Sequence, residues 1–304
     1  MLRPMARRDK RQAYAVEWTQ GVYVTGFTDR RAQLGALAAI LMLAGAAPCG
    51  PAGAAPAAVF AAPGDVFATS PARAAASAAR LISAGPLAQG LYRAGVEIDL
   101  DPQTITYWRS PGEAGAPPVF DFSASTNVAR VEVIYPAPKR IEEQGVFIAG
   151  YDSRVVFPLK VTPRDPAAPV TLNLSLQYSA CGKICLPARA SLSLTLPSSG
   201  VSPYAALISE ADRKAPQKLD AAQTKKFLTL KKSAKDSWRL VWRGQGKAQA
   251  VFVEVADPLY VESIPEGDVF ALKLYASGAK PGSVAAVVTV VTDTGAYEAP
   301  LALQ

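Results

Sequence analysis

The stretch Val170 to Leu196, VTLNLSLQYSACGKICLPARASLSLTL, constrains this chain more than any other. Its first arm puts Val170, Leu172, Leu174, Leu176 and Tyr178 on one parity, and its second arm does the same with Leu186, Ala188, Ala190, Leu192, Leu194 and Leu196. Successive side chains of a strand point to opposite faces, so this alternation predicts two half-buried strands. Gly182, Lys183 and Ile184 lie between the arms as a three-residue hairpin loop, with a glycine for the unusual dihedrals such loops need. Cys181 and Cys185 flank the loop. Carried up to the turn, the alternation puts both thiols on the polar face, Cys181 with Ser175, Gln177 and Ser179, and Cys185 with Arg189, Ser191 and Ser193. Paired across the hairpin, their Cα atoms would be roughly 4.5–5.5 Å apart, within disulfide range. Lys183 inside the loop would favour thiolate. Two readings follow from the pattern. One is a redox-active dithiol on the wet side of a hairpin tip. The other is a static staple, although a bridge closing so short a loop removes little chain entropy.

The rest of the composition narrows the chemistry. The chain has 304 residues, enough for two ordinary domains, and half of them are hydrophobic. It has no histidine, which excludes Ser-His-Asp and Cys-His catalysis and histidine-ligated zinc. The formal charge is +7, but residues 1–57 hold seven Lys/Arg against three Asp/Glu, leaving 25 basic and 22 acidic residues beyond them. No dense basic patch stands out, so no nucleic-acid partner is expected. Two thiolates on a hairpin suit Cu(I), but no methionine or histidine lies nearby, which ranks a copper site last. No cofactor and no small-molecule substrate are indicated.

Leu34 to Ala47 is an apolar run of 14 residues preceded by Arg30-Arg31 and followed by Ala55-Pro56-Ala57. Basic residues, a short apolar core and an A-x-A-like site are the pattern of a secretory signal peptide. The run is too short for a comfortable membrane span. Residues 1–57 therefore read as a leader containing Cys49, with a soluble, exported mature chain that starts near Ala58. Export leaves Cys181 and Cys185 as one pair in an oxidising compartment.

Residues 58–85 are rich in Ala with scattered Pro and Gly and read as the rest of the leader and a linker, with a short helix or strand near Ala79–Ser83. From residue 86 to 200, short alternating runs follow one another: Val96 to Leu100, Ile105 to Trp108, Val119 to Phe122, Val128 to Ile134, Val146 to Ile148 and Val155 to Val161. A polar loop, Lys139 to Gly145, precedes the fifth of these. Such spacing predicts an all-β antiparallel sandwich ending in the cysteine hairpin. Residues 201–304 read as a second, smaller β-sandwich, with a helical stretch at Pro203 to Arg213 and a short helix at Asp220 to Phe227 before its strands. Lacking cysteine, it is expected to be a packing or docking module.

Several segments resemble a known family. Thr106-Tyr107-Trp108-Arg109-Ser110-Pro111-Gly112-Glu113-Ala114-Gly115 is similar to the TYWRxPGxxG segment of the amino-terminal periplasmic part of DsbD/ScsB-type thiol:disulfide interchange proteins. Tyr135-Pro136-Ala137-Pro138-Lys139-Arg140 resembles the family's YPAPxR segment, and Gly150-Tyr151 with Pro158-Leu159 its GYxxxxxxPL segment. Cys181 to Pro187 resembles its C-x-x-x-C-x-P redox hairpin. DsbD itself spaces its cysteines more widely; three residues separate them here, as in the ScsB-like branch. The resemblance implies an immunoglobulin-like domain and a thiol–disulfide oxidoreductase of the protein-disulfide reductase type. Its cysteine pair would accept electrons from a membrane carrier and pass them to periplasmic thioredoxin-fold proteins. The family's membrane and thioredoxin-like domains are not matched in this sequence, so the partners are expected on separate chains. The resemblance also puts Glu142, Glu143 and, as the nearest aromatic, Phe147 in the place of a cap over the cysteines. Of Tyr107 and Trp108, one is expected in the core and one at the cysteine site, with parity silent on which.

Overall fold

The structure, a computed structural model, describes residues 65–112, 114–143, 145–276 and 282–304. The leader, its apolar run and Cys49 lie outside the described residues. The first eleven strands are β1 (Ala72–Ala74), β2 (Ser77–Ser83), β3 (Tyr92–Leu100), β4 (Thr106–Gly112), β5 (Val119–Asp121), β6 (Val128–Val133), β7 (Lys139–Glu143), β8 (Val146–Tyr151), β9 (Val155–Pro163), β10 (Thr171–Cys181) and β11 (Cys185–Thr195). They form a five-stranded sheet in the order β1-β2-β3-β9-β6, a three-stranded sheet β11-β10-β5 and a second three-stranded sheet β4-β8-β7. Leu172, Leu174 and Leu176 of β10 and Leu192 and Leu194 of β11 bury the face that alternation assigned to the core, against Val96, Ile98, Phe157 and Leu159 of the large sheet. Each such side chain, fully removed from water, contributes about 1.5–3 kcal/mol.

Two segments differ from the sequence expectation. Part of the stretch read as a linker, residues 72–83, forms β1 and β2 of the large sheet. β2 is buried on both faces, so its small residues show no alternation for a pattern reading to find. The helix α1 (Ala205–Arg213) covers its outer face, with Ile208 and Ala211 packed against Ile82 and Val156. This places α1 on the first sandwich rather than the second. The segment read as a polar loop, Lys139 to Gly145, is largely strand β7, paired with β8 from Lys139↔Gly150 to Glu143↔Val146. Charge hid this strand, because its solvent edge carries Lys139 and Glu142.

The second sandwich comprises β12 (Gln217–Lys218), α2 (Ala221–Phe227), β13 (Leu228–Ala234), β14 (Ser237–Trp242), β15 (Ala248–Val255), β16 (Leu259–Glu266), β17 (Val269–Ala276), β18 (Val284–Thr292) and β19 (Ala296–Leu303). Its sheets run β12-β19-β18-β15 and β13-β14-β17-β16, and enclose Leu240, Phe270, Leu272, Val288 and Val290. The all-β, immunoglobulin-like expectation holds. Among the described residues no helix is long and apolar enough to cross a membrane.

The first core contains a ring cluster in which Phe120, Tyr135 and Tyr151 meet Phe157 edge-on at 5.2, 5.3 and 5.5 Å between centroids. Burial pushes the Tyr135 phenol up to about 12 and raises that of Tyr151 well above its ordinary 10.0. Raised folded values mean that the unfolded chain loses these protons first as pH rises. Stability is therefore intact below pH 10 and falls between 10 and 12, by about 1.4 kcal/mol per pH unit for each such group. Urea midpoints measured from pH 8 to 11.5 should stay level to about pH 10 and then drop. Tyr135→Phe should make the drop shallower, and a level midpoint throughout would contradict the assignment.

Candidate functional site

β10 and β11 pair without a slip from Thr171↔Thr195 to Cys181↔Cys185. The register sets the two cysteines directly opposite one another, 3.9 Å apart at Cα, and they are joined as a disulfide. Their surroundings are unequal. Cys185 is exposed, whereas Cys181 is 1% exposed. The expectation that both thiols lie on a wet face is thus wrong for Cys181. Parity fixes the face a side chain takes, but cover from elsewhere in the fold decides whether that face meets water. Here Ile105 and Cys181 exchange backbone hydrogen bonds of 2.8 and 2.9 Å, which brings the start of β4 alongside. Tyr107 and Ile148, with Ile105, Ala114, Ile141 and Val146 at their margin, then form an apolar cluster with Cys181.

Tyr107 links this cluster to the disulfide. It is 3% exposed, and its hydroxyl lies 3.2 Å from Cys181 Sγ and 3.4 Å from Cys185 Sγ. The hydroxyl donates to Glu143 Oε2 at 2.8 Å, and Glu143 Oε1 lies 3.4 Å from Cys185 Sγ. Burial first, and then the hydrogen bond and charge of Glu143, push the Tyr107 phenol well above its ordinary value. Tyr107 therefore remains a proton donor across the physiological range. Gly115 keeps its ring in place. It has φ +100°, and a Cβ there would fall 2.5 Å from Tyr107 Cε1. Trp108 points the other way, fully buried in the sandwich core. The adjacent aromatics thus divide as one site residue and one core residue.

The other expected residues separate along β7 and β8. Glu143 pairs with Val146, and Glu142 with Phe147. Because neighbours on a strand face opposite ways, Glu143 and Val146 take the cysteine side. Glu142 is exposed on the other side, and Phe147, 48% exposed, packs under the Arg140 guanidinium at 3.8 Å from its ring centroid. Glu142 and Phe147 are therefore not part of the cover over the disulfide, and Val146 takes the place expected for Phe147. Lys183 is exposed at the loop tip beside Ile184, itself 66% exposed. Val146, Ile148 and Ile141 were not singled out from sequence. The signal that could have found them is the alternation of Ile141, Glu143, Val146 and Ile148, legible only once β7 is recognised as a strand.

The ligand atoms of Glu143, Cys181 and Cys185 all lie within 4.8 Å of one another. With the disulfide closed neither sulfur is a thiolate. Reduced, the trio offers two soft donors and one carboxylate.

A buried sulfur under a tyrosine and an exposed sulfur at a hairpin tip is a specific arrangement, and the chain's similarities bear on it. Residues 75–197 match the family described as thiol:disulfide interchange protein DsbD, N-terminal. This part of the chain is similar to a DsbD-type N-terminal domain. The matched residues include Tyr107, Glu143 and both cysteines. The crystal structure of the N-terminal periplasmic domain of ScsB from Proteus mirabilis superposes with a TM-score of 0.57 at 20% identity, covering 78% of this chain and 98% of that one. So large a share takes in the second sandwich as well as the DsbD-type domain, and shows that the two chains share a fold. No curated protein matches the sequence.

Proposed function

We propose that the chain is a periplasmic thiol–disulfide exchange module. It passes electron pairs from a separate membrane carrier to thioredoxin-fold proteins through Cys181 and Cys185. The observation that carries this reading is the asymmetry of the bridge, with one sulfur exposed at a hairpin tip and the other buried beneath a tyrosine. An attacking sulfur must be reachable, whereas a resolving sulfur must be close and protected. In the reduced protein, Cys185 thiolate attacks one sulfur of a partner disulfide. The partner's other sulfur leaves as thiolate, and a mixed disulfide forms. Cys181 thiolate then attacks Cys185 Sγ, the partner leaves as its second thiolate, and the intramolecular bridge closes. Two electrons have moved to the partner.

Glu143 and Tyr107 serve the protons. Glu143 Oε1 is within reach of Cys185 Sγ and takes its proton as attack begins. Its charge by itself disfavours a neighbouring thiolate, so its role is acceptor rather than stabiliser. Tyr107, held protonated by burial, offers its hydroxyl to the sulfur of Cys181 whenever that sulfur carries charge. The unit that does this chemistry spans residues 86–200, with β1 and β2 completing its large sheet and α1 covering it, and β12 to β19 make up the second unit.

The test is the equilibrium of the pair against glutathione buffers, read by alkylation of free thiols and mass. Structural bridges have potentials below about −300 mV, and exchange pairs lie above it. A pair that opens and closes above that value supports the reading. A bridge that stays shut across the whole range would make it a static staple in an interaction module.

A further inference from the structure

The two side chains whose polar atoms lie against the disulfide sulfurs, among the described residues, are borne by the small sheet β4-β8-β7, Tyr107 on β4 and Glu143 on β7. Both strands are also tied to the second sandwich, each through an arginine. On β4, Arg109 lies two residues beyond Tyr107. Its Nε and Nη2 donate to Glu254 of β15 at 2.9 and 2.6 Å, and Nη2 also donates to Glu298 of β19. The guanidinium stacks on Trp108 at 4.5 Å, and Trp108 in turn meets Phe252 of β15 at 5.8 Å between rings. All three charged side chains are less than a third exposed. On β7, Arg140 lies three residues before Glu143, on the face turned from the cysteines. Its Nη1 donates to the Ser263 carbonyl of β16 at 2.5 Å while the guanidinium covers Phe147.

Beside these ties β4 also approaches β16, but the contact between the sheet and the second sandwich is interrupted. A cleft of about 1190 Å³ separates them, walled by Phe147 and Ile148 on one side and by Val253, Tyr260 and Tyr275 on the other. The second sandwich therefore holds the small sheet at the margins of a cleft, with the two arginines as its polar ties, rather than by a continuous apolar interface. Groups of this kind, set on separate elements, determine how far the outer strands stand from the hairpin tip.

We infer that the second sandwich is a brace for the redox site, in which Arg109 and Arg140 are positioning residues that keep Tyr107 and Glu143 against the Cys181–Cys185 pair. The inference rests on the exchange reading and assigns the second sandwich a part in it. Releasing either arginine lets the sheet move away from the hairpin. Cys185 then loses the adjacent carboxylate charge, its thiolate becomes easier to form, and the reduced pair gains stability relative to the disulfide.

The experiment compares Arg140→Met, Arg140→Lys and Glu254→Gln with the wild type. Arg140→Lys retains a donor for the Ser263 carbonyl, and Glu254→Gln weakens the Arg109 cluster while preserving its shape. Lys139→Met serves as control, because Lys139 pairs with Asp152 within the first sandwich, at an exposed site on the same strand. Two quantities are read: the equilibrium constant of the pair with glutathione, and the pH midpoint of Cys185 alkylation in the reduced protein. Arg140→Met and Glu254→Gln should shift the equilibrium toward the dithiol by about two- to thirtyfold, the range for residues that couple two sites. Both should lower the alkylation midpoint. Arg140→Lys should lie between Arg140→Met and wild type, and Lys139→Met should match wild type. If the wild-type pair exchanges but Arg140→Met and Glu254→Gln keep its equilibrium constant and midpoint, the brace is refuted and the exchange reading stands. The brace is refuted equally if Lys139→Met shifts both as much as Arg140→Met does. A wild-type pair that never opens refutes the exchange reading itself. If Arg140→Met fails to fold, Glu254→Gln and Arg140→Lys decide alone.

Discussion

Replacing Trp108 with alanine is expected to lower the stability of the protein by about 3–5 kcal/mol, the range for truncating a large buried aromatic. Trp108 is fully buried in the first core, where its ring meets Phe252 of the second sandwich and carries the Arg109 guanidinium on its face. Alanine leaves a cavity among these groups and removes the stacking surface of a partly buried cation. Because the ring lies between the two sandwiches, both should lose stability together in urea, with the midpoint falling and the slope little changed. Tyr107→Phe, one residue away, removes one hydroxyl and its hydrogen bond to Glu143, which is worth about 1.5–3 kcal/mol when one partner is charged. A Trp108→Ala midpoint within experimental error of wild type would mean that this side chain is not in the core.

The sequence displayed the cysteine hairpin and the core face of its two strands. Period-two alternation in β10 and β11 survives into the structure residue for residue, as far as Ala180. What it could not display was the cover over Cys181. That cover comes from Ile105, Tyr107 and Ile148, far away in the chain, and burial supplied by tertiary contacts leaves no mark on the local pattern. The choice of Glu143 over Glu142, and of Val146 over Phe147, turned on the register of β7 against β8. A one-residue shift in such a pair sends every side chain to the other face, so the nearest aromatic in sequence was the wrong residue in space. β2 was legible only as a short helix or strand near Ala79–Ser83, because a strand buried on both faces shows no period, and β1, three residues around an exposed arginine, left no pattern. The division of labour between Tyr107 and Trp108 was half legible. Two aromatics adjacent on a strand must face opposite ways, but only the partners of each face settle which one reaches the disulfide.

The measurement that bears most directly on the exchange reading is trapping of a partner by single-cysteine variants. Cys185 is exposed and Cys181 is not, and Ile184 beside it adds an apolar surface at the tip. A partner's disulfide can therefore reach Cys185 first. With Cys181→Ser the resolving sulfur is gone, so a mixed disulfide once formed has no route to closure and should accumulate. With Cys185→Ser the remaining sulfur lies under Tyr107 and should react slowly. Reduced variants would be mixed with an oxidised periplasmic thioredoxin-fold protein and resolved on a non-reducing gel, with the trapped residue identified by peptide mass. The expected result is a strong adduct through Cys185 in Cys181→Ser and, at most, about a tenth as much in Cys185→Ser, as thiol reactivity follows exposure. No adduct in either variant, or an adduct carried mainly by Cys181, would contradict the reading.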